Sequence, residues 1–279
     1  MVIRKPAVAG QFYPGSEKKL KELLERMDRG EPAGKKISLS GRQILGAVVP
    51  HAGYMYSGRH ALHFFRLLAA SGQPFDTAVI INPNHHGYGP EIALDVNDAW
   101  ETPLGVVAVD TELAELLSFS WASPAHDSEH SGEVMVPFLQ HFFRREFRIL
   151  PVTLSRQTHE NARKIAEGLR SAAGKLNRKI VVIASSDFSH FLSPEEGRAM
   201  DELVLREILA LKPQGVEEQV HRHEISVCGY GPIMTLMEYA LISGHHPKAE
   251  VLSRGHSGEV VPSREVVDYL TILFTCASD

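Results

Sequence analysis

The sequence predicts an α/β protein: a single domain whose central sheet, largely parallel or mixed, is flanked by helices. Three observations carry that prediction. Short apolar runs recur along the 279 residues and alternate with segments of helical period, the pattern of a layered α/β fold. The runs at 44–49, 77–81 and 179–184 are almost continuously apolar rather than alternating, as expected of strands buried on both faces. No linker or low-complexity segment divides the chain, so positions 1–279 read as one unit.

Taken in order, residues 6–14 read as an irregular, partly buried arm, and a helix is expected over 16–27. Within it, Lys18, Lys19 and Lys21 alternate with Leu20, Leu23 and Leu24, which marks a wet face and a buried face. Glycine, proline, lysine and serine over 29–42 predict a surface loop. Strands follow at 44–49 and 77–81, with a helix over 60–70 between them. Segments 92–94 and 106–109 are expected to pair as a hairpin-like excursion. Helices are predicted over 111–117 and 132–143, a strand at 147–152, a helix over 159–173 and a strand at 179–184. Helices over 194–211, 215–222 and 231–242 precede closing strands at 248–252 and 266–275.

The bulk composition excludes several classes. A hydrophobic fraction of 43% and a charged fraction of 23% are ordinary for a globular protein. A chain of this length can bury a core without disulfides or metals, so any metal it holds is expected to be functional. The net charge of -5 argues against nucleic acid as a partner, because phosphate neutralisation needs a basic face. Two cysteines, Cys228 and Cys276, make no disulfide framework and fit a reducing compartment. Residues 1–15 lack a signal-peptide core, and no stretch approaches the roughly 18 apolar residues of a membrane helix. The expectation is a cytoplasmic protein without a membrane partner.

Histidine is the unusual count, at 15 residues. It is the commonest metal ligand and proton shuttle. Three apolar strands run straight into polar loops: Pro50-His51-Ala52-Gly53-Tyr54, Pro83-Asn84-His85-His86-Gly87 and Ser185-Ser186-Asp187-Phe188-Ser189-His190. Ligands of α/β sheets bind beyond the carboxyl ends of strands. If these strands are parallel neighbours, His51, His85 or His86, Asp187 and His190 share one crevice. In Asp127-Ser128-Glu129-His130-Ser131-Gly132-Glu133, Asp127, Ser128 and Glu133 serve either as helix caps or in catalysis, and Glu129 with His130 as an acid–base pair. Cys228 precedes a predicted helix. There it is either a thiol of lowered pKa suited to metal or a small buried hydrophobe. Phe12, Tyr13, Tyr54, Tyr56 and Trp100 either line the pocket or pack in the core. Walker A, G-x-S-x-G, H-E-x-x-H and paired C-x-x-C motifs are absent. Gly229-Tyr230-Gly231 follows no strand, and Ser185 and Ser186 have no nucleophile elbow.

These loops, with Ala9-Gly10-Gln11-Phe12-Tyr13 and Val227-Cys228-Gly229-Tyr230-Gly231-Pro232, stand in the order of the Memo family. That family is named for a mediator of ErbB2-driven cell motility, and in prokaryotes for protein B of the AmmeMemoRadiSam system. The resemblance covers nearly the whole chain. It implies a fold similar to class III extradiol dioxygenases, which hold Fe(II) with two histidines and a carboxylate. It further implies His51, His85 and Cys228 as metal ligands, Cys228 replacing the carboxylate, with His86 a loop neighbour. Asp187, His190 and His130 would be catalytic residues lining the pocket. Fe(II) is the implied cofactor, with copper or zinc as alternatives, since a thiolate is softer and more easily oxidised than a carboxylate. Two functions are expected to compete. One is a metal-dependent oxidoreductase. The other is a module that binds a small molecule or peptide without turnover. The system name implies a radical-SAM protein as a partner.

Overall fold

Burial on both faces is the physical basis of the apolar runs. In the computed structural model, which describes residues 1–30 and 37–278, strand β1 (Ile3–Arg4) leads through the arm to α1 (Glu17–Gly30), β2 (Arg42–Val49), α2 (Tyr54–Ser71) and β3 (Thr77–Pro83). Then come β4 (Ile92–Leu94), β5 (Ala99–Thr102), β6 (Gly105–Ala108), α3 (Thr111–Glu115), β7 (Ser120–Trp121), α4 (Val136–Phe142), β8 (Arg148–Leu154), α5 (His159–Leu176), β9 (Ile180–Ser185) and β10 (His190–Leu192). The chain closes with α6 (Pro194–Leu209), α7 (Pro213–His223), α8 (Tyr230–Ser243), β11 (Lys248–His256) and β12 (Val266–Ala277).

The main sheet runs β10-β12-β2-β9-β3-β8-β4-β7, with β11 paired to β12. Its centre, β2-β9-β3-β8, is parallel, and β12, β11 and β4 add antiparallel pairs. The sheet is therefore mixed. Along β9, Ile180, Val182 and Ala184 enter one core, with α5, α6, α7 and α8. Val181 and Ile183 enter the other, with α1, α2 and α4. A period-two strand buried on both sides must be apolar at every position.

Three expectations change. The hairpin at the excursion pairs β5 with β6, whereas Ile92–Leu94 crosses to β8 in the main sheet. Strand β4 is short and fully buried, and its partner lies some 60 residues along the chain, beyond the reach of local pattern. Helix α2 starts at Tyr54, directly behind the His51 loop, not at 60. The segment 132–143 opens as a tight 3-10 turn, Glu133–Met135, before α4. Pro137 has no N–H to offer Glu133 and cannot carry an α-helical bond there. The loop expected over 29–42 falls partly on residues 31–36, which lie outside the described residues.

Candidate metal centre

The order β2-β9-β3 sets three carboxyl ends side by side. His51 follows β2, Asp187 follows β9 and His85 follows β3. Cys228 arrives from another direction, at the entrance to α8. A side chain at Gly229 would strike the Ser185 carbonyl at 2.2 Å, so glycine lets this segment lie against the end of β9. Gly229 N–H donates to Ser186 Oγ at 2.9 Å, and Gln157 donates to the Cys228 carbonyl at 2.8 Å. The donor atoms of His51, His85 and Cys228 all lie within 4.8 Å of one another. The two imidazoles meet edge to face with centroids 5.2 Å apart.

The hydrogen bonds dictate which nitrogen each ring offers. The Ser185 hydroxyl donates its one proton to the Ser131 carbonyl at 2.7 Å, so toward His51 it accepts. His51 Nδ1 is therefore the N–H, at 2.7 Å from Ser185 Oγ, and Nε2 keeps its lone pair, 3.2 Å from Cys228 Sγ. His85 Nδ1 donates to Glu129 Oε1 at 2.8 Å, which leaves its Nε2 free. His190 Nδ1 donates to the Ser226 carbonyl at 2.8 Å, with the same result. Carboxylate or carbonyl partners on the far nitrogen are how proteins orient metal-binding histidines. Glu129 also receives Ser131 Oγ at 2.6 Å and the His85 N–H at 2.7 Å.

Burial governs the charge state of His51 and Cys228. Burial, then the neighbouring His130 and His85, hold His51 well below the usual imidazole range. Burial also brings His130 down to about 4, against the charge of Glu129. Burial alone would raise Glu129, but the hydrogen bonds from the His85 ring, Ser131 and the His85 N–H outweigh it and keep the carboxylate ionised. Burial pushes Asp187 up to about 6, although it accepts the His51 N–H at 2.8 Å. The Cys228 thiol corrects an expectation. Burial and the charge of Asp187 push it above the usual range rather than lowering it. The start of a helix cannot offset the desolvation of a thiolate beside a carboxylate. In the free pocket the thiol is neutral.

Of the predicted residues, His51, His85, His130, Asp187 and His190 line one cavity of about 550 Å³, with Phe12, Tyr56 and Tyr269 on its walls. His130 packs tilted against His85 and Phe12, with ring centroids 4.6 and 4.7 Å apart, and its Nδ1 lies 3.4 Å from Glu129. His86 is exposed and bonds the Ser128 carbonyl, outside the donor trio. Tyr13, Tyr54 and Trp100 are buried core residues outside this cavity. Cys276 is buried. Asp127 is exposed and bonds Ser123, and Glu133 is buried against Arg4, so neither caps α4. A larger groove, about 810 Å³, between the arm, α1 and α2 carries no histidine or cysteine. Sequence reasoning missed the orienting role of Ser185 and the contribution of Tyr269, which comes from the far end of the chain. Ser185 was findable as a hydroxyl at a strand end, two residues before Asp187. Nothing local pointed to Tyr269.

Comparison with known proteins extends the match beyond these loops. A family profile described as Memo-like protein matches residues 4–273. A MEMO1 family protein of Methanosarcina barkeri is 40% identical, with 97% of this chain and 99% of the relative covered. One from Archaeoglobus fulgidus is also 40% identical, with 98% and 99% covered. A solved structure of an uncharacterized protein from Escherichia coli K12 superposes with a TM-score of 0.51 at 11% identity, covering 76% of this chain and 91% of that one, a likeness of fold alone. Two relatives aligned nearly end to end, and a profile spanning every loop of the pocket, place this chain in the Memo family.

Proposed function

We propose that this protein binds one transition-metal ion through His51 Nε2, His85 Nε2 and Cys228 Sγ and serves as a metal-dependent oxidoreductase. The observation that carries the reading is the pair of tautomers: a buried His51 and a partly exposed His85, each tied at Nδ1, leave their Nε2 lone pairs beside one thiol. Fe(II) is the proposed ion, with copper and zinc the competitors for a two-imidazole, one-thiol donor set. Such an ion would supply Lewis-acid or redox chemistry. The rest of the pocket belongs to the chain. His190 and His130 can accept or deliver a proton, Asp187 braces the His51 loop, and Phe12, Tyr56 and Tyr269 line the cavity.

Metal analysis and calorimetric titration of purified protein test the binding. Equal uptake by wild type and a His51→Ala, His85→Ala double variant overturns it. Glu129→Gln is expected to weaken the metal by roughly 10- to 100-fold, because an amide gives His85 less charge and less orientation. Chelator competition measures this, and unchanged affinity rejects the role of Glu129. A second reading, a ligand-binding module without turnover, is favoured by the aromatic walls of the cavity. Oxygen uptake with catechols and thiols on Fe(II)-loaded protein separates the two. Saturable binding without uptake supports the module.

A further inference from the structure

A separate cavity of about 450 Å³ lies between α6, β11 and the start of β12, and its ionisable side chains are Glu195, Arg198, Arg254, His256, Glu259 and Asp268. Two of these charges are already used. Arg254 donates to Glu202 at 3.1 Å and to the Arg198 carbonyl at 3.2 Å, and Glu259 is paired with Arg59. The neighbouring Asp201, 3.8 Å from Arg254, accepts the Ser189 N–H at 3.0 Å and the Ser189 hydroxyl at 2.6 Å.

The other groups are unsatisfied. Asp268 is 3% exposed, and its Oδ2 has no hydrogen-bond partner. His256 Nδ1 is buried in the same condition. A buried carboxylate oxygen without a donor is costly. Arg198 is exposed on α6, and its guanidinium makes no hydrogen bond or ion pair among the described residues. Glycines keep the space beside these atoms free of side chain. A Cβ at Gly197 would lie 2.2 Å from Asp268 Oδ2, one at Gly255 2.8 Å from Glu259 Oε1, and one at Gly258 3.0 Å from His256 Nδ1. Glycine is the residue that permits such close approach.

An acceptor lacking a donor and a cation lacking an anion, around one cavity, match a ligand that carries both complements. A bare metal ion does not match. Among the described residues, the groups of three donors close enough to hold one are His51, His85 and Cys228, and His85, Glu129 and His130, all elsewhere. We propose that this cavity binds a small aminocarboxylate, its primary ammonium donating to Asp268 Oδ2 and its carboxylate meeting the Arg198 guanidinium. With its proton on Nε2, His256 accepts a second ammonium proton at Nδ1. Glu195, Glu259 and Asp268 repel a lone anion, so the carboxylate enters together with its ammonium. Asp268 also holds the loop between Asp187 and His190. Its N–H donates to the Ser189 carbonyl and its carbonyl accepts the Phe188 N–H, both at 2.9 Å. The ligand therefore sits beside a strand that steadies the metal pocket, without using any donor of that pocket.

Calorimetry and NMR with glycine, γ-aminobutyrate, methylamine and acetate test this on the whole chain after chelator treatment, where the metal reading does not enter. The two aminocarboxylates bracket the spacing of the charged groups. Titrations are run at pH 8, above the value of about 7 to which burial, then the charge of Asp201, push Asp268. At least one aminocarboxylate is expected to saturate at millimolar concentration, more tightly than methylamine or acetate, and to shift the amide signals of Gly197, Gly255 and Asp268. Asp268→Asn is expected to weaken it by at least about tenfold. Arg198→Gln, which alters only an exposed side chain, is expected to weaken it about threefold and to leave methylamine unaffected. No saturable binding by either aminocarboxylate, binding no tighter than that of methylamine or acetate alone, or an affinity unaltered by Arg198→Gln overturns the proposal.

Discussion

Alanine at both His51 and His85 is expected to lower metal affinity by at least about 1,000-fold, leaving Cys228 as the only donor of the trio. Each imidazole is prepared before any ion arrives. Its ring is buried or half-buried, its far nitrogen is tied down and its lone pair is aimed inward. Little orientation remains to be lost on binding, which is why removing such a ligand costs far more than removing a surface histidine. Cys228 adds a pH signature. Its thiol is neutral in the free pocket and points its sulfur at His51 Nε2 at 3.2 Å. A bound ion must displace that proton, whereas His51, held low, has none to lose at neutral pH. Affinity should therefore rise with pH by about tenfold per unit across pH 6–8. Cys228→Ser should lose this slope. Calorimetry in buffers of different ionisation enthalpy counts the released proton. A slope of zero in the wild type would mean that sulfur is not a ligand.

Glu133→Ala is expected to cost about 4 kcal/mol of stability, read as a lower urea midpoint in metal-free protein. Glu133 bonds Arg4 at 2.7 Å, and both side chains are almost wholly buried. The same carboxylate accepts the Ala7 and Val8 N–H groups and the Tyr13 hydroxyl, at 2.8, 3.0 and 2.6 Å. Truncation strands a buried guanidinium under Trp100, 4.2 Å from its ring, together with three donors. Arg4→Met should cost less, because the carboxylate keeps its other three partners. The effect reaches the pocket. Arg4 also donates to the His126 and Glu129 carbonyls at 2.8 and 2.9 Å, bracing the turn that supplies Glu129 to His85. Glu133→Ala should therefore weaken metal binding as well. A stability within about 1 kcal/mol of wild type would show that the arm is held by its apolar contacts alone.

The positions of β2, β3, β8 and β9, and the placing of His51, His85 and Asp187 after three of them, could be read from the sequence alone. Strands buried on both faces leave an unbroken apolar signature, and a polar loop that follows one is conspicuous. The sequence also determined the wet and buried faces of α1, and it offered Cys228 through its motif. Tertiary structure decided the rest. Pairing of β4 with β8 joins segments far apart in the chain, and no local period encodes a partner. Whether His85 or His86 turns inward depends on Glu129, more than 40 residues away. The sequence suggested a lowered thiol at Cys228, and the fold reversed it, because desolvation and the Asp187 charge exist only once separate loops share a cavity. The same holds for Glu133, which read as a cap or an acid and is the anchor of a distant arginine. Periodicity reports the face a residue turns to the core. Ring tautomer, charge state and hydrogen-bond partner depend on groups brought near only by folding, and local sequence does not carry them.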